Sequence, residues 1–372
     1  MRHIGSRIPS TQMDAMQVEK DKKVPVTILT GHLGAGKTTL LRRILRNKLG
    51  LRIAVIENEF GNEIGIERLL ANVSVTDDAD DDQAAMNEVV TLNSEDLFIE
   101  LSNGCVCCSV KDSLVNTLET LLEKNRNRFD HIVIETTGLA DPGPLAGVFW
   151  LDDELESDLK LDGVVTVVDL ANIEARLNDT KANEAKLQVA YADRIILNKR
   201  ELVSDQAFQS AVARLRSINP FAPMEATSYG KVDLQFCLNI CAYDSSRLKL
   251  RGELFEVDHD PTVKSVVLRR EDRPISVKKL RDWIGLMLWE PPDGLEIFRV
   301  KGVLWGVDDE EAVSGDVPVR IIQGVHKIFD IERLADTVKW ADVDEAKPIT
   351  KIVVIGRGIR PSVLKKQFQE AL

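Results

Sequence analysis

Residues 24–30 form a short run of apolar and β-branched side chains between Lys22-Lys23 and Gly31. A run of that length without polar alternation predicts a strand covered on both faces. The pattern returns at 53–56, 98–101, 132–134, 164–168 and 195–197, with helix-length segments between. Residues 37–48 have helical spacing, and 112–124 place Leu114, Leu118, Leu121 and Leu122 on one helix face. Strands alternating with helices predict a parallel sheet with helices on both sides. Right-handed crossovers then bring the strand C-termini, and the loops that follow them, to one edge.

From about residue 237 the pattern changes. Residues 245–260 are polar and without clear period, whereas 263–268, 296–304 and 352–355 read as strands and 276–288 and 361–372 as helices. The expected organisation is therefore a disordered tail over 1–23, a first α/β domain over 24–236, a linker over 237–261 and a smaller C-terminal α/β domain over 262–372. The tail is polar, mixed in charge and lacks the apolar centre of a secretory signal. Asp77, Asp78, Asp80, Asp81 and Asp82 make an acidic run expected to be a solvated loop.

Charge narrows the partners. With 48 basic and 60 acidic residues the net charge is −12, which argues against a chain that lives on nucleic-acid phosphates or anionic lipid. No apolar run approaches the length of a membrane span. Five cysteines, three of them clustered, make a poor disulfide framework and fit a reducing compartment: the cytoplasm, with the nucleus as the alternative.

The chemistry sits in the strand-end loops. Gly31-His32-Leu33-Gly34-Ala35-Gly36-Lys37-Thr38 satisfies the G-x-x-x-x-G-K-[ST] pattern between a predicted strand and a predicted helix. Backbone amides of such a loop, with Thr39 completing it, cradle phosphates; Lys37 reaches the β- and γ-phosphates and Thr38 ligates Mg²⁺. The fold expectation is thus an α/β P-loop nucleoside triphosphatase with a mostly parallel sheet. Glu135 ends the strand at 132–134, in position to hold the Mg²⁺ shell or orient the attacking water, and Gly138 has an amide to offer the γ-phosphate. Asn198-Lys199-Arg200-Glu201 resembles the Asn-Lys-x-Asp motif that reads guanine. Its acid, here one methylene longer, accepts from N1–H and the exocyclic amine, while Asn198 complements O6 and N7. GTP is therefore the expected nucleotide. Glu57 and Glu59, in the loop after the second strand, are further candidates for metal or Mg²⁺ contact.

Cys105, Cys107 and Cys108 put three soft thiolate donors within four residues, suited to Zn²⁺ and, by affinity alone, to Cu(I) or Co²⁺. One short turn rarely closes a tetrahedral shell, and the open position suits transfer better than a structural site. The five histidines form no close pair. His326 is a candidate secondary ligand or, more simply, a solvated side chain; Cys237 and Cys241, four apart, are expected as core residues of one helix.

Taken in order, GHLGAGKTTLL, ENEFG, GCVCCSVKD, ETTGLADP and ILNKRE resemble the CobW family of metal-chaperone GTPases. The likeness runs from about Val24 to the C-terminal QGVHKIFD segment. Within that family the stretch at 135–169 is most similar to the eukaryotic zinc-regulated GTPase metalloprotein activators. The resemblance implies GTP hydrolysis to GDP and phosphate, zinc held by Cys105, Cys107 and Cys108, and delivery to a client metalloenzyme, with methionine aminopeptidase as that branch's client. The chain departs from the pattern at Glu201, where the family has Asp, and in the tail, where Val24-Pro25 stands in place of a cysteine-proline docking motif. A non-catalytic zinc buffer and a carrier of another metal such as cobalt remain open on the residues alone.

Overall fold

The computed structural model describes residues 23–46, 50–57, 97–100, 118, 122, 129–138, 140–151, 159–179, 183–243, 262–308, 318–335, 337–343 and 347–371. The first unit is a seven-stranded sheet in the order β3-β2-β4-β1-β5-β6-β7. Its strands are β1 (Val24–Thr30), β2 (Ile53–Glu57), β3 (Leu97–Glu100), β4 (His131–Glu135), β5 (Leu159–Asp169), β6 (Arg194–Asn198) and β7 (Met224–Ala226). Every pairing is parallel, so every C-terminal strand end leaves the same edge. The helices are α1 (Lys37–Leu45), α2 (Pro142–Leu151), α3 (Ile173–Asn178), α4 (Glu184–Tyr191), α5 (Asp205–Ile218) and α6 (Leu234–Cys237). Leu118 and Leu122, from the apolar face expected over 112–124, are both helical and buried.

The second unit is antiparallel, in the order β12-β11-β10-β13-β8. It comprises β8 (Val263–Arg270), β9 (Ile275–Ser276), β10 (Glu296–Val307), β11 (Val319–Val325), β12 (Ile328–Arg333) and β13 (Thr350–Arg357), with α7 (Val277–Trp289) and α8 (Pro361–Ala371). Short β9 pairs in parallel with β10. Alternation along these strands places the two faces in different cores. Ile352 and Val354 of β13 pack with α7 and α8, while Val353 and Ile355 join a cluster that also contains Val189, Tyr191 and Leu215 of the first unit. Both faces of this sheet are therefore covered, one of them by helices α4 and α5 of the first unit.

Polar groups lock the two units. Arg299 of β10 donates to the carbonyl of Tyr191 and pairs with Asp193, and all three are buried. The region expected as a linker begins with a docked segment: Asp162 accepts from the Ile240 and Cys241 amides at 3.0 and 2.8 Å. Lys301 donates to the Ala242 carbonyl at 3.1 Å. Cys237 and Cys241 do not share a helix. α6 stops at Cys237, and Cys241 takes a positive φ of 50° where the chain turns to reach Asp162.

Across neighbouring strands β4, β1 and β5, Thr27 donates its one hydroxyl proton to Asp162 at 3.0 Å, so His131 must donate from Nε2 to Thr27 at 2.8 Å. Burial pushes the His131 imidazole down to about 4, against the opposing pull of Asp162. Trp283 packs on Phe368 and Trp289 on Phe329, which places both in the C-terminal unit.

Candidate nucleotide and metal site

β1 runs to Thr30 and α1 starts at Lys37, so six residues make the whole connection. The Ala35 amide bonds the His32 carbonyl at 3.0 Å, and Gly31, Gly34 and Gly36 take φ of 142°, 78° and 104°. Gly36 shows why glycine is required: a Cβ there would lie 2.3 Å from Nδ2 of Asn198. No side chain caps α1, so its first amides and dipole face the loop, an arrangement suited to phosphate. Lys37 is buried, with Nζ 4.0 Å from Oε1 of Glu135. Thr38 is half-buried in the first turn, Thr39 is exposed, and Leu33 stands 76% exposed at the loop tip. His32 stays within the loop, with Nδ1 3.2 Å from the Leu33 carbonyl. Glycine turns, an ammonium, a hydroxyl and a carboxylate thus meet at one helix N-terminus, a donor set that fits a triphosphate with its Mg²⁺.

The loop after β4 lies against this cradle. The Thr136 amide bonds the Leu29 carbonyl at 2.9 Å and its hydroxyl donates to Oγ1 of Thr30 at 2.8 Å, which fixes the loop's first residue to the end of β1. Gly138 touches the P-loop backbone: a Cβ there would fall 2.4 Å from the Leu33 nitrogen. On its other side the buried Gln188 of α4 donates to the carbonyls of Gly138 and Ala140 at 3.1 and 3.3 Å. The loop ends at Asp141, whose carboxylate accepts from the Gly143 amide at 2.9 Å at the start of α2. Burial raises the Asp141 carboxyl above the usual carboxylate range, with that hydrogen bond and nearby His326 pulling the other way.

Asn198 ends β6 and Lys199 follows it. The Asn198 side chain is directed at the chain itself: Nδ2 donates to the Ala35 carbonyl at 2.8 Å, and Oδ1 accepts from the Gly230 amide at 3.0 Å. These two bonds tie the P-loop to a neighbouring turn and leave the second Nδ2 proton for a base edge. Lys199, at φ 61°, reaches Asp169 at the end of β5 with a 2.7 Å ion pair. Burial opposes the Asp169 charge, but bonds from Lys199, Asn172 and the Ala171 amide hold its carboxyl below the usual range. Glu201 sits exposed in a short 3-10 turn, Arg200–Leu202, just beyond β6.

The turn that Asn198 holds was not singled out in the sequence. It follows β7, carries Thr227 through Gly230, and exposes Tyr229 by 58% at φ 55°. Arg43 of α1 donates to the Tyr229 carbonyl at 3.0 Å, and the Arg200 amide to that of Thr227 at 3.1 Å. A polar A-T-S-Y-G stretch after a short apolar segment was its only signal.

Cys105, Cys107, Cys108 and Glu59 lie outside the described residues. Glu57, Glu100 and Glu135 occupy paired register positions at the C-terminal ends of β2, β3 and β4. Cys105 comes five residues after Glu100 on the chain. β3 stands three strands from β1, roughly 14 Å at the usual parallel spacing. Among the described residues no group of three or more His, Cys, Asp or Glu side chains could hold a metal. Burial pushes the Cys237 thiol up to about 12, which removes it as a thiolate at neutral pH. His326 is half-buried in the β11–β12 turn at φ 56°, its amide bonded to the Phe298 carbonyl at 2.9 Å. No described helix is long and apolar enough to cross a membrane.

Comparison with known proteins gives the same two units. Residues 25–225 match the CobW/HypB/UreG nucleotide-binding domain, and residues 263–372 match the cobalamin synthesis protein CobW C-terminal domain. The chain is 34% identical to the zinc-regulated GTPase metalloprotein activator 1 of Schizosaccharomyces pombe, over 94% of this chain and 86% of that protein. It is 33% identical to the zinc chaperone YjiA of Escherichia coli, over 93% and 98% of the two chains. The crystal structure of Zn(II)-bound YjiA GTPase superposes with a TM-score of 0.70 at 31% identity, covering 94% of this chain and 99% of that one. With its loop–helix cradle, its parallel sheet and both modules in order, the chain belongs to the CobW family of P-loop GTPases.

Proposed function

We propose that this protein is a GTP-hydrolysing zinc metallochaperone that carries zinc on Cys105, Cys107 and Cys108 and passes it to a client metalloenzyme in the cytosol. The observation that carries the reading is the shared edge. The P-loop, the Glu135 loop, the Asn198-Lys199 turn and the strand leading into the cysteines all leave the sheet on the same side. Likeness to proteins named as zinc chaperones and a zinc-regulated activator supports the choice of cargo. Resemblance of the 135–169 stretch to the eukaryotic branch makes methionine aminopeptidase the first client to try.

In this mechanism the amides of residues 31–39 hold the phosphates and Lys37 neutralises charge between β and γ. Mg²⁺ held by Thr38 would supply further neutralisation of the phosphate oxygens. Glu135 orients the attacking water, and the Gly138 loop senses the γ-phosphate. Glu201 accepts from the guanine edge while Asn198 holds the cradle in shape. Zinc binds the three cysteines as thiolates, so loading releases protons. Loss of the γ-phosphate lets the 135–141 loop relax, and neighbouring β2 and β3 carry the change to the cysteine turn.

The test is zinc affinity by competition with a chromophoric chelator, in Mg·GDP, in Mg²⁺ with a non-hydrolysable GTP analogue, and without nucleotide. Tighter zinc in the triphosphate state is expected, because a carrier that loads and then releases requires coupled sites. Equal affinity in all three states would leave a zinc buffer on a P-loop fold.

A further inference from the structure

One buried amide holds the loop after β4 from a helix that is itself fastened to the C-terminal sheet. Gln188 is 2% exposed and lies in the middle of α4. Its Nε2 donates to two carbonyls of the loop after β4, Gly138 at 3.1 Å and Ala140 at 3.3 Å, across 50 and 48 residues of chain. Both protons of the amide are thus directed at that loop. Its backbone carbonyl is itself held, accepting from Thr166 Oγ1 of β5 at 2.7 Å. A buried glutamine with both donors placed is costly to remove, because two carbonyls lose their partners together.

The same helix carries the contacts with the C-terminal unit. Lys186 donates to Thr262 Oγ1 at 2.7 Å. The Tyr191 carbonyl accepts from Arg299, whose guanidinium also pairs with buried Asp193 just beyond the helix. The Tyr191 ring packs against Phe298 with centroids 5.8 Å apart. Gly143, at the start of α2, fits against Tyr191 so closely that a Cβ would fall 2.4 Å from its ring. Movement of the 138–140 loop must therefore break the Gln188 bonds or carry α4 with it, and α4 is fastened to β10.

We propose that Gln188 is a positioning residue for GTP hydrolysis: it sets the 138–140 loop against the P-loop and ties the loop's two positions to the C-terminal sheet through α4. The proposal rests on the reading of residues 135–141 as the γ-phosphate-sensing loop. It gives the C-terminal unit a part in nucleotide turnover that needs no contact with the nucleotide.

The experiment uses the full chain with Gln188→Met, which keeps volume and removes both donors, beside Gly138→Ala as a control on the loop. Multiple-turnover kcat and KM for GTP are measured together with Kd for labelled GDP and for a non-hydrolysable triphosphate analogue. For Gln188→Met the expected result is a kcat at least tenfold from wild type and a changed ratio of triphosphate to diphosphate affinity, with GDP affinity within twofold. A merely structural glutamine would weaken both nucleotides together and leave the ratio alone, which overturns the proposal. If Gly138→Ala keeps wild-type kcat, the loop reading fails and the proposal with it. If Gly138→Ala is inactive while Gln188→Met is normal, only the Gln188 assignment fails. A measurement on unaltered protein covers poor folding of the variant: amide exchange over 184–191 and 296–307 with GDP and with the triphosphate analogue. Protection that differs between the two nucleotides in both segments supports the tie, and identical protection in either overturns it.

Discussion

Replacing Asn198 by alanine separates two accounts of the same residue. In the structure its amide bridges the P-loop and the 227–230 turn, through a 2.8 Å bond to the Ala35 carbonyl and a 3.0 Å bond from the Gly230 amide. Ala35 is fully buried and Asn198 is 3% exposed, so the groups left behind have little access to water. An unsatisfied buried donor or acceptor costs about 1–3 kcal/mol each, and the neighbouring loop recovers part of it by shifting. The cradle is the element free to shift, so the loss appears in nucleotide binding: about 1.4–2.7 kcal/mol, or roughly 10- to 100-fold in Kd. The assay is displacement of a fluorescent nucleotide by GDP and, separately, by ADP. A residue that shapes the cradle weakens both to the same degree, and the GDP-to-ADP ratio stays where it was. Glu201→Ala is the contrast: GDP weakens, ADP does not, and the ratio collapses. If Asn198→Ala weakens GDP tenfold or more and spares ADP, Asn198 is reading the base and the cradle argument is wrong. Asn198→Asp sharpens the point. It can still accept from Gly230, but it sets a carboxylate against the Ala35 carbonyl, so binding of both nucleotides should fall at least as far as in the alanine variant.

Three further outcomes are expected. Because the folded pKa of His131 is depressed from 6.5 to about 4, the unfolded chain binds more protons between those values. Stability present above pH 6.5 is therefore lost on acidification, by up to about 3 kcal/mol. Urea midpoints at pH 7.5 and 4.5 should fall less for His131→Asn than for wild type, and parallel falls would refute the assignment. Arg299→Met leaves buried Asp193 without its cation and should destabilise by about 3–5 kcal/mol, seen as a lowered denaturation midpoint. Adding Asp193→Asn should recover part of that loss, and no recovery would mean the pair is not the cause. Alanine at Cys105, Cys107 or Cys108 should lower bound zinc measured by elemental analysis, and unchanged stoichiometry would remove those cysteines as ligands.

The strands of the first sheet were readable because parallel strands covered on both faces are written as unbroken apolar runs. β1 falls on 24–30 as expected, while β5 is longer than its apolar run. Exposed Lys160 and buried Asp162 interrupt that run at its start, and Asp162 is tolerated only because Thr27 and two backbone amides from 240–241 satisfy it. The apolar run at 352–355 was legible for the same reason as β1, since its two faces meet two different cores. The β11–β12 hairpin was missed. Arg320 and Gln323 are buried within β11, and the turn uses His326-Lys327 with His326 at φ 56°, without the glycine or asparagine that usually marks such turns. At the site, the motifs named the residues but not what they touch. Asn198 meets Ala35 across 163 residues, and Gln188 sits in an ordinary helical stretch whose partner carbonyls belong to another strand's loop. Contacts between side chains and distant backbone leave no periodic trace.

The loop after β4 follows a strand that lies between β1, which ends in the phosphate cradle, and β2, whose other neighbour is β3 and the approach to the cysteines. A shift of the loop along its strand axis is felt by both neighbours because they share its hydrogen-bond ladder. Away from the sheet the same loop is held by Gln188, and through α4 by Arg299 and Phe298 of β10. Coupling of the proposed kind is reciprocal: if GTP changes zinc affinity at Cys105, Cys107 and Cys108, zinc must change GTP affinity by the same factor. A client that engages the C-terminal sheet in one position of the loop would thereby change both nucleotide affinity and zinc affinity without touching either site. On that proposal the second unit has a physical reason to be packed against α4 rather than tethered beside it: a flexible tether would transmit nothing to the loop.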